Sequence, residues 1–270
     1  MPPPPKALPE GTVIDTWLGL PAAALLASLV GLFAGGAAVM AWLALRSPVR
    51  ERVRSLTGIT ESVFASAAVL FSLLAGFLAS DIADRNHRAW RAVNAEAGAI
   101  ASLFALGRSS GAPEIDRPLK AYAEAVASDE WREMARHRHS PQAEAALHAL
   151  MRQASDPGLA AKIPPPVHAA ILSAVLRLGE ARADRLAVAL DRTARIQWLS
   201  VLVLGLVTQL TITLVHLEYP RAHIAAAAVF ALAVIVALWP IALQETPFSG
   251  TLGITAEAFR REAARIAPGE

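Results

Sequence analysis

The sequence predicts an all-α integral membrane protein: four transmembrane helices in two hairpins, with a helical soluble insert between spans 2 and 3. Three observations carry this. Of the 270 residues, 54% are hydrophobic and mean hydropathy is +0.42, more apolar side chain than a soluble domain of this size usually hides. The apolar residues gather in four stretches with almost no charge. Between them, Asp81 to Arg195 is charged like an ordinary soluble domain.

The chain opens on MPPPPKALPEG, a proline-rich tail expected to be unstructured over residues 1–16. It has neither the basic start nor the small-residue cleavage site of a signal peptide, so the first apolar run is expected to be retained. That run, Trp17 to Leu45, exceeds the ~20 residues a bilayer core requires. Trp17 and Trp42 stand near its ends, where amphipathic rings favour the interface. Arg46, Arg50, Arg52 and Arg54 follow in a short loop. A second run, Ser62 to Ser80, closes the first hairpin (residues 17–80) and passes without a breaker into DIADRNHRAWRAVNAEAGAIASLFAL. One helix is therefore expected to leave the membrane and continue as a stalk, roughly 70 Å in all at 1.5 Å per residue.

The insert, residues 81–196, continues through the loop RSSGAP into two amphipathic helices, Glu114 to Arg138 and Pro141 to Gln153. A second loop, SDPGLAAKIPPP, precedes a long helix from Val167 back toward the membrane. The second hairpin (197–243) holds Trp198 to His216 and Ile224 to Leu243, joined by LEYPRAH, with Pro240 expected to kink or end the last span. The tail, 244–270, reads as a turn and a short amphipathic helix.

Four spans place both termini and the insert on one side. Arginines in the short loops nearly balance, so the stalk ends decide: Arg85, Arg88 and Arg91 after span 2, and Arg182, Arg185, Arg192 and Arg195 before span 3. By the positive-inside rule these favour a cytoplasmic insert and termini, although the four-arginine loop argues the other way. Net charge is +2, which carries no signal for nucleic acid. Cysteine is absent, which excludes disulfides, thiolate metal sites and cysteine nucleophiles.

The second span has two unlike faces. At 100° per residue, Ser62, Ser66, Val69, Leu73, Gly76, Ser80 and Asp84 fall within about 80° of arc, opposite Phe64, Phe71, Leu78 and Ile82. His87, Arg91 and Asn94 continue the stripe along the stalk. Close helix packing is the commoner use of such a stripe. A pore lining is the other: hydroxyls meet water, Val69 and Leu73 make an apolar constriction, and Asp81 and Asp84 charge one mouth, with Glu61 near the other. Carboxylates at a mouth attract cations, while Arg88 and Arg91 dilute that field.

Elsewhere the bland readings prevail. Thr208, Gln209, Thr211 and Thr213 fit hydrogen bonding between helices better than a substrate site. Asp129, Glu130 and Glu133 alternate with Arg132 and Arg136 as expected of surface pairs, and Trp131 fits a core. His137 and His139, two apart, lie on different faces of a helix. No P-loop, dinucleotide fingerprint, zinc-hydrolase or serine-hydrolase motif occurs, so no catalytic residue, metal or cofactor is expected and the chain is not read as an enzyme. No span buries a central charge and the hairpins are not repeats, which disfavours a secondary transporter.

The stretches SLLAGFLASDIADRNHRAWRAVNAEAGAIASLFAL, LKAYAEAVASDEWREM, RADRLAVALDRTARIQW and LWPIALQETPFSG, in this order and spacing, resemble the bestrophin-like family of bacterial membrane proteins. The resemblance covers residues from about 62 to 259. It implies an oligomeric channel with four spans per subunit, a helical cytosolic region and a pore lined by the second span. The bulky constriction of bestrophins is not reproduced, because Phe64 and Phe71 point away from the stripe. The resulting expectation is a homo-oligomeric ion channel of the bacterial cytoplasmic (inner) membrane, pentameric and weakly favouring cations, whose partners are its own copies, the lipid bilayer and inorganic ions. The alternative is a non-conducting membrane scaffold or sensor whose insert binds a cytosolic partner.

Overall fold

The computed structural model describes residues 13–45, 48, 61–136, 138–191, 195–216, 219–249 and 252–266. Every regular element among them is helical. Helix α1 is Val13–Leu18, α2 Ala22–Leu45 and α3 Glu61–Ser110. A 3-10 turn, Pro113–Ile115, leads into α4, Asp116–Ala125, a π turn, Val126–Glu130, and α5, Trp131–Met134. Then come α6, Pro141–Ala154, α7, Pro157–Lys162, and α8, Pro165–Leu190. The chain ends through α9, Arg195–Val215, α10, Pro220–Leu243, and α11, Glu257–Arg265. Four of these, α2, α3, α9 and α10, contain segments long and apolar enough to cross a membrane.

Two compact units divide the chain: residues 1–83, 192–246 and 250–252 in the first, and 84–191, 247–249 and 253–270 in the second. In the first unit α10 packs against α2, and α9 touches both. Its core gathers Leu25, Leu29, Phe33, Phe71, Leu78, Trp198 and Leu238. Glycine admits the closest approach. A methyl group on Gly205 would lie 2.9 Å from the Phe33 ring and 3.2 Å from the Phe71 ring. Phe71 also packs against Phe230, with ring centroids 5.9 Å apart. At one end, Trp17 meets Trp198 edge-on at 5.4 Å, and the buried Trp198 Nε1–H donates to Glu245 at 2.8 Å.

The second unit has its own core, including Ile100, Leu103, Ile115, Leu119, Tyr122, Leu150, Leu178 and Phe259. Trp131 is half-buried there, 5.6 Å from Phe248 and 5.7 Å from Phe259. α3 ends where the sequence places a loop: Gly111 takes φ +71°, Gly111 N–H reaches Arg108 O and Ala112 N–H reaches Gly107 O at 2.8 Å. This is the Schellman arrangement, which puts a residue in the left-handed region where glycine has no Cβ penalty. α6 starts on Ser140, whose Oγ accepts from Ala143 N–H at 3.1 Å, with Pro141 as its first residue.

Several expected boundaries move. The first apolar run divides at Gly19–Pro21, because Pro21 has no N–H to continue α1 and starts α2 instead. Residues 13–16, expected in the tail, belong to α1. The helix expected from Glu114 is a 3-10, α, π, α succession. The loop expected before α8 contains α7, begun by Asp156 and Pro157. The long helix expected from Val167 stops at Leu190, where Asp191 turns extended (ψ 126°). No proline or glycine marks that break; aspartate is a weak helix former. α10 runs through Pro240 and ends three residues later.

Candidate pore face

α3 is one unbroken helix of 50 residues because nothing between Glu61 and Ser110 removes a backbone donor, and of its three glycines, Gly76, Gly98 and Gly107, only Gly107 lies in the last turn. Within the first unit it turns Phe71, Leu78 and Ile82 inward, while Leu70 and Phe77 stay exposed. Leu78 is 0% exposed, Ile82 2% and Phe71 8%, while Phe64 is half-buried. The opposite side is left open. Ser62, Ser66, Gly76, Ser80 and Asp84 are exposed, as are Val69 at 65% and Leu73 at 52%. All seven residues of the expected stripe thus share one uncovered face. Asp81 is half-buried, and the Glu61 side chain lies outside the described residues.

Inside one subunit this face is not used for helix packing. A methyl on Gly76 would have nothing within 4 Å, whereas methyls on Gly205 and Gly36 would meet Phe33 at 2.9 Å and Gln209 at 3.2 Å. The glycines that permit close helix packing in the subunit are therefore on α2 and α9. The Ser66 hydroxyl donates to Ser62 O at 2.8 Å, a bond within its own helix that leaves the hydroxyl oxygen outward-facing. Only 11% of the apolar window of α3 is buried, against 44% for α9. Among the described residues Asp84 and Arg88 form no ion pair with each other, and both side chains are exposed.

The cluster Thr208, Gln209, Thr211 and Thr213 on α9 is buried in the packing, with Gln209 Oε1 left without a hydrogen-bond partner among the described residues. Thr208 Oγ donates to Leu204 O at 2.8 Å and approaches Ala67 O at 3.3 Å, and Gln209 Nε2 donates to Phe33 O at 2.8 Å. Thr211 and Thr213 bond the carbonyls of Thr208 and Gln209. Gln209 and Thr208 make the expected helix-to-helix bonds, whereas Thr211 bonds back only within α9 and Thr213 does so while also reaching Met40 Sδ.

The second unit contains a charged cluster that sequence reasoning misassigned. Glu130, expected on the surface, is fully buried and receives Arg182 Nη2 at 2.5 Å and Arg185 Nη2 at 2.6 Å. Arg185 Nε also donates to the buried Glu96 at 2.6 Å, and Tyr122 O–H donates to the same carboxylate at 2.5 Å. The guanidinium of Arg185 sits 5.8 Å from the Trp131 ring and 5.5 Å from the Phe259 ring. Burial alone would raise the Glu130 pKa, but the bonds from Arg182 and Arg185 outweigh it and hold the carboxyl below the usual range. Burial and the Glu96 charge push the Tyr122 phenol well up. Two cations meet two carboxylates, which satisfies the charges internally and makes the cluster a fastening of helices.

Arg182 and Arg185 are consequently buried ion-pair partners, and Arg85 is buried too, so these three do not stand as free basic charge at a stalk end. Asp129 pairs with Arg132 at 3.5 Å, and Glu133 with Arg136 and Arg138, as surface pairs. The signal for the missed network was an ion inside an apolar stripe: Glu96 among Ala92, Val93, Ile100 and Leu103, and Arg182 and Arg185 among Leu178, Ala181 and Ala189. Among the described residues no group of three or more histidine, aspartate or glutamate side chains could hold a metal ion; His137, Arg192 and the loop carrying Arg46, Arg50, Arg52 and Arg54 lie outside them.

Apolar helices of bilayer-crossing length, an all-helical second unit and no strand among the described residues define a helical membrane protein. The bestrophin-like domain matches residues 31–259, and the chain belongs to the bestrophin-like family. Its fold is shared with a variant of the bacterial bestrophin homologue from Klebsiella pneumoniae (TM-score 0.71, 12% identity, 88% of this chain and 97% of that one). A second structure of that homologue gives TM-score 0.67 at 13% identity, covering 89% and 95%. A further crystal structure, described as a membrane protein, gives 0.68 at 11%, covering 91% and 96%. No curated protein shows significant sequence similarity to the chain.

Proposed function

We propose that this chain is the subunit of a homo-oligomeric ion channel, a pentamer in the bacterial inner membrane, with the Ser62–Asp84 face of α3 lining the pore. The observation that carries the reading is the uncovered face: hydroxyls, Gly76 and Asp84 point away from a core that absorbs Phe71, Leu78 and Ile82. One narrow stripe cannot enclose water, so conduction requires a ring of copies. Membership of the bestrophin-like family supports an ion channel. In the ring, Val69 and Leu73 form the apolar constriction, Asp81 and Asp84 make an acidic mouth, and Glu61 approaches the other end. Acidic mouths give a weak preference for cations.

The topology proposed with it is two hairpins, residues 17–80 and 197–243, around an insert at 81–196. The termini and insert are cytoplasmic. With Arg85, Arg182 and Arg185 buried, this orientation rests on Arg88 and Arg91 after span 2 and on Arg192 and Arg195 before span 3, whose side chains lie outside the described residues.

Salt-gradient flux in liposomes tests the function. Flux above empty vesicles is expected, together with a complex of about five times the 28.5 kDa subunit mass in detergent. A monomer or dimer without flux across pH, calcium and voltage would instead indicate a scaffold or sensor.

A further inference from the structure

The second unit contains a cavity of about 980 Å³ between the last turns of α3, the start of α4 and the end of α11. Its volume is that of a small-molecule site. Alanines of α3 and Phe104 form an apolar wall, and four cations, Arg108, Arg117, Lys120 and Arg265, line the rest. Asp116 is the one carboxylate among them.

The charges are poorly matched within the cavity. Asp116 meets Arg108 at a long 3.7 Å, and its Oδ1 is buried without a hydrogen-bond partner. Burial pushes the Asp116 carboxyl up against the pull of Arg108. Lys120 has Glu124 at 3.9 Å and Arg265 has Glu262 at 3.1 Å, but neither glutamate lines the cavity. Arg117 is exposed and forms no ion pair among the described residues. Arg117 and Lys120 are one turn apart on α4, so their side chains emerge on one face. Arg108 lies 5.8 Å from the Phe104 ring centroid, which orients its guanidinium beside the apolar wall. Like charges gathered in a concave space repel one another until an anion enters, and guanidinium forks bind phosphate oxygens two at a time.

From this cavity we infer a binding site for a small phosphate-bearing anion, with Arg117, Lys120, Arg265 and Arg108 taking its charged oxygens and Phe104 flanking its body. The inference is independent of conduction, since occupancy is read as binding. The shared chemistry, clustered phosphate charge, is offered both by free phosphate compounds and by anionic lipid headgroups.

The probe is inorganic pyrophosphate, titrated by calorimetry into the full chain in neutral detergent at low salt. Saturable binding is expected, weakened at least about tenfold, a cost of about 1.4 kcal/mol, in Arg117→Ala/Lys120→Ala. Arg152→Ala, outside the cavity, should bind like wild type, and Arg117→Lys/Lys120→Arg should retain most of the affinity. No binding at about 5 mM pyrophosphate, a level that detects even millimolar affinity, overturns the inference. So does equal weakening by Arg152→Ala, which would mark general surface attraction. Repeating the titration in phosphatidylcholine nanodiscs with and without phosphatidylglycerol separates the sources. Unchanged affinity points to a free phosphate compound, and competition by phosphatidylglycerol points to a lipid headgroup at the same cations.

Discussion

Arg185 shows how one side chain can hold several helices. Its guanidinium serves Glu96 on α3 and Glu130 on the π turn while lying against Trp131 and Phe259. Replacing it by leucine leaves Glu96 buried without a cation and Glu130 with Arg182 alone, which costs about 3–5 kcal/mol. The measurement is the melting of the detergent-solubilised protein, followed by tryptophan fluorescence; a loss under 1 kcal/mol would contradict the network. Glu130 adds a pH signature. Its folded pKa lies below the ordinary 4.5, so its stabilising contribution is complete above that value and is lost as pH falls through the folded pKa. Glu130→Gln should therefore be destabilised at pH 7, and its deficit against wild type should shrink on acidification below 4.5. The apolar stripes of α3 and α8 were legible in the sequence, but the ions within them were not matched because partners 89 and 55 residues apart share no local pattern.

At the scale of the element, glycines separate fold from passage. Gly205 is where α9 meets Phe33, and Gly76 faces open space. Gly205→Val should lower stability by about 1–3 kcal/mol through overpacking, whereas Gly76→Val should leave melting nearly unchanged. On the proposed pore face the second substitution narrows the path, so it should reduce flux in liposomes. Equal flux in wild type and Gly76→Val would remove Gly76 from the lining. Gly111 closes α3 at φ +71°. Alanine there should cost about 1 kcal/mol, readable by the same melts. The length of α3 followed from an unbroken run of helix-compatible residues, and its end from Gly111. The breaks at Asp191 and in the π turn did not, because no proline or glycine announces them and packing sets the backbone there.

For the whole molecule the decisive question is what covers the open side of α3. In the proposed ring of five copies, Ser66 and Leu73 would face a common axis and Asp84 would be multiplied into a charged mouth. Ser66→Leu should then abolish flux, and Asp84→Asn should shift the reversal potential away from cations in a salt gradient. Indifference to both substitutions, with oligomer and fold intact, would exclude this face as the pore.

The sequence by itself determined the helical class, the four apolar segments, the continuity of the stalk helix and the two unlike faces of its apolar half. These are properties of periodicity and composition, which local spacing records. Only the tertiary structure decided which face of that helix is spent on the subunit core, that Glu130, Arg182 and Arg185 are interior, and that cations from three separate helices share one cavity. Those facts depend on contacts between residues far apart in the chain, and no local pattern specifies them.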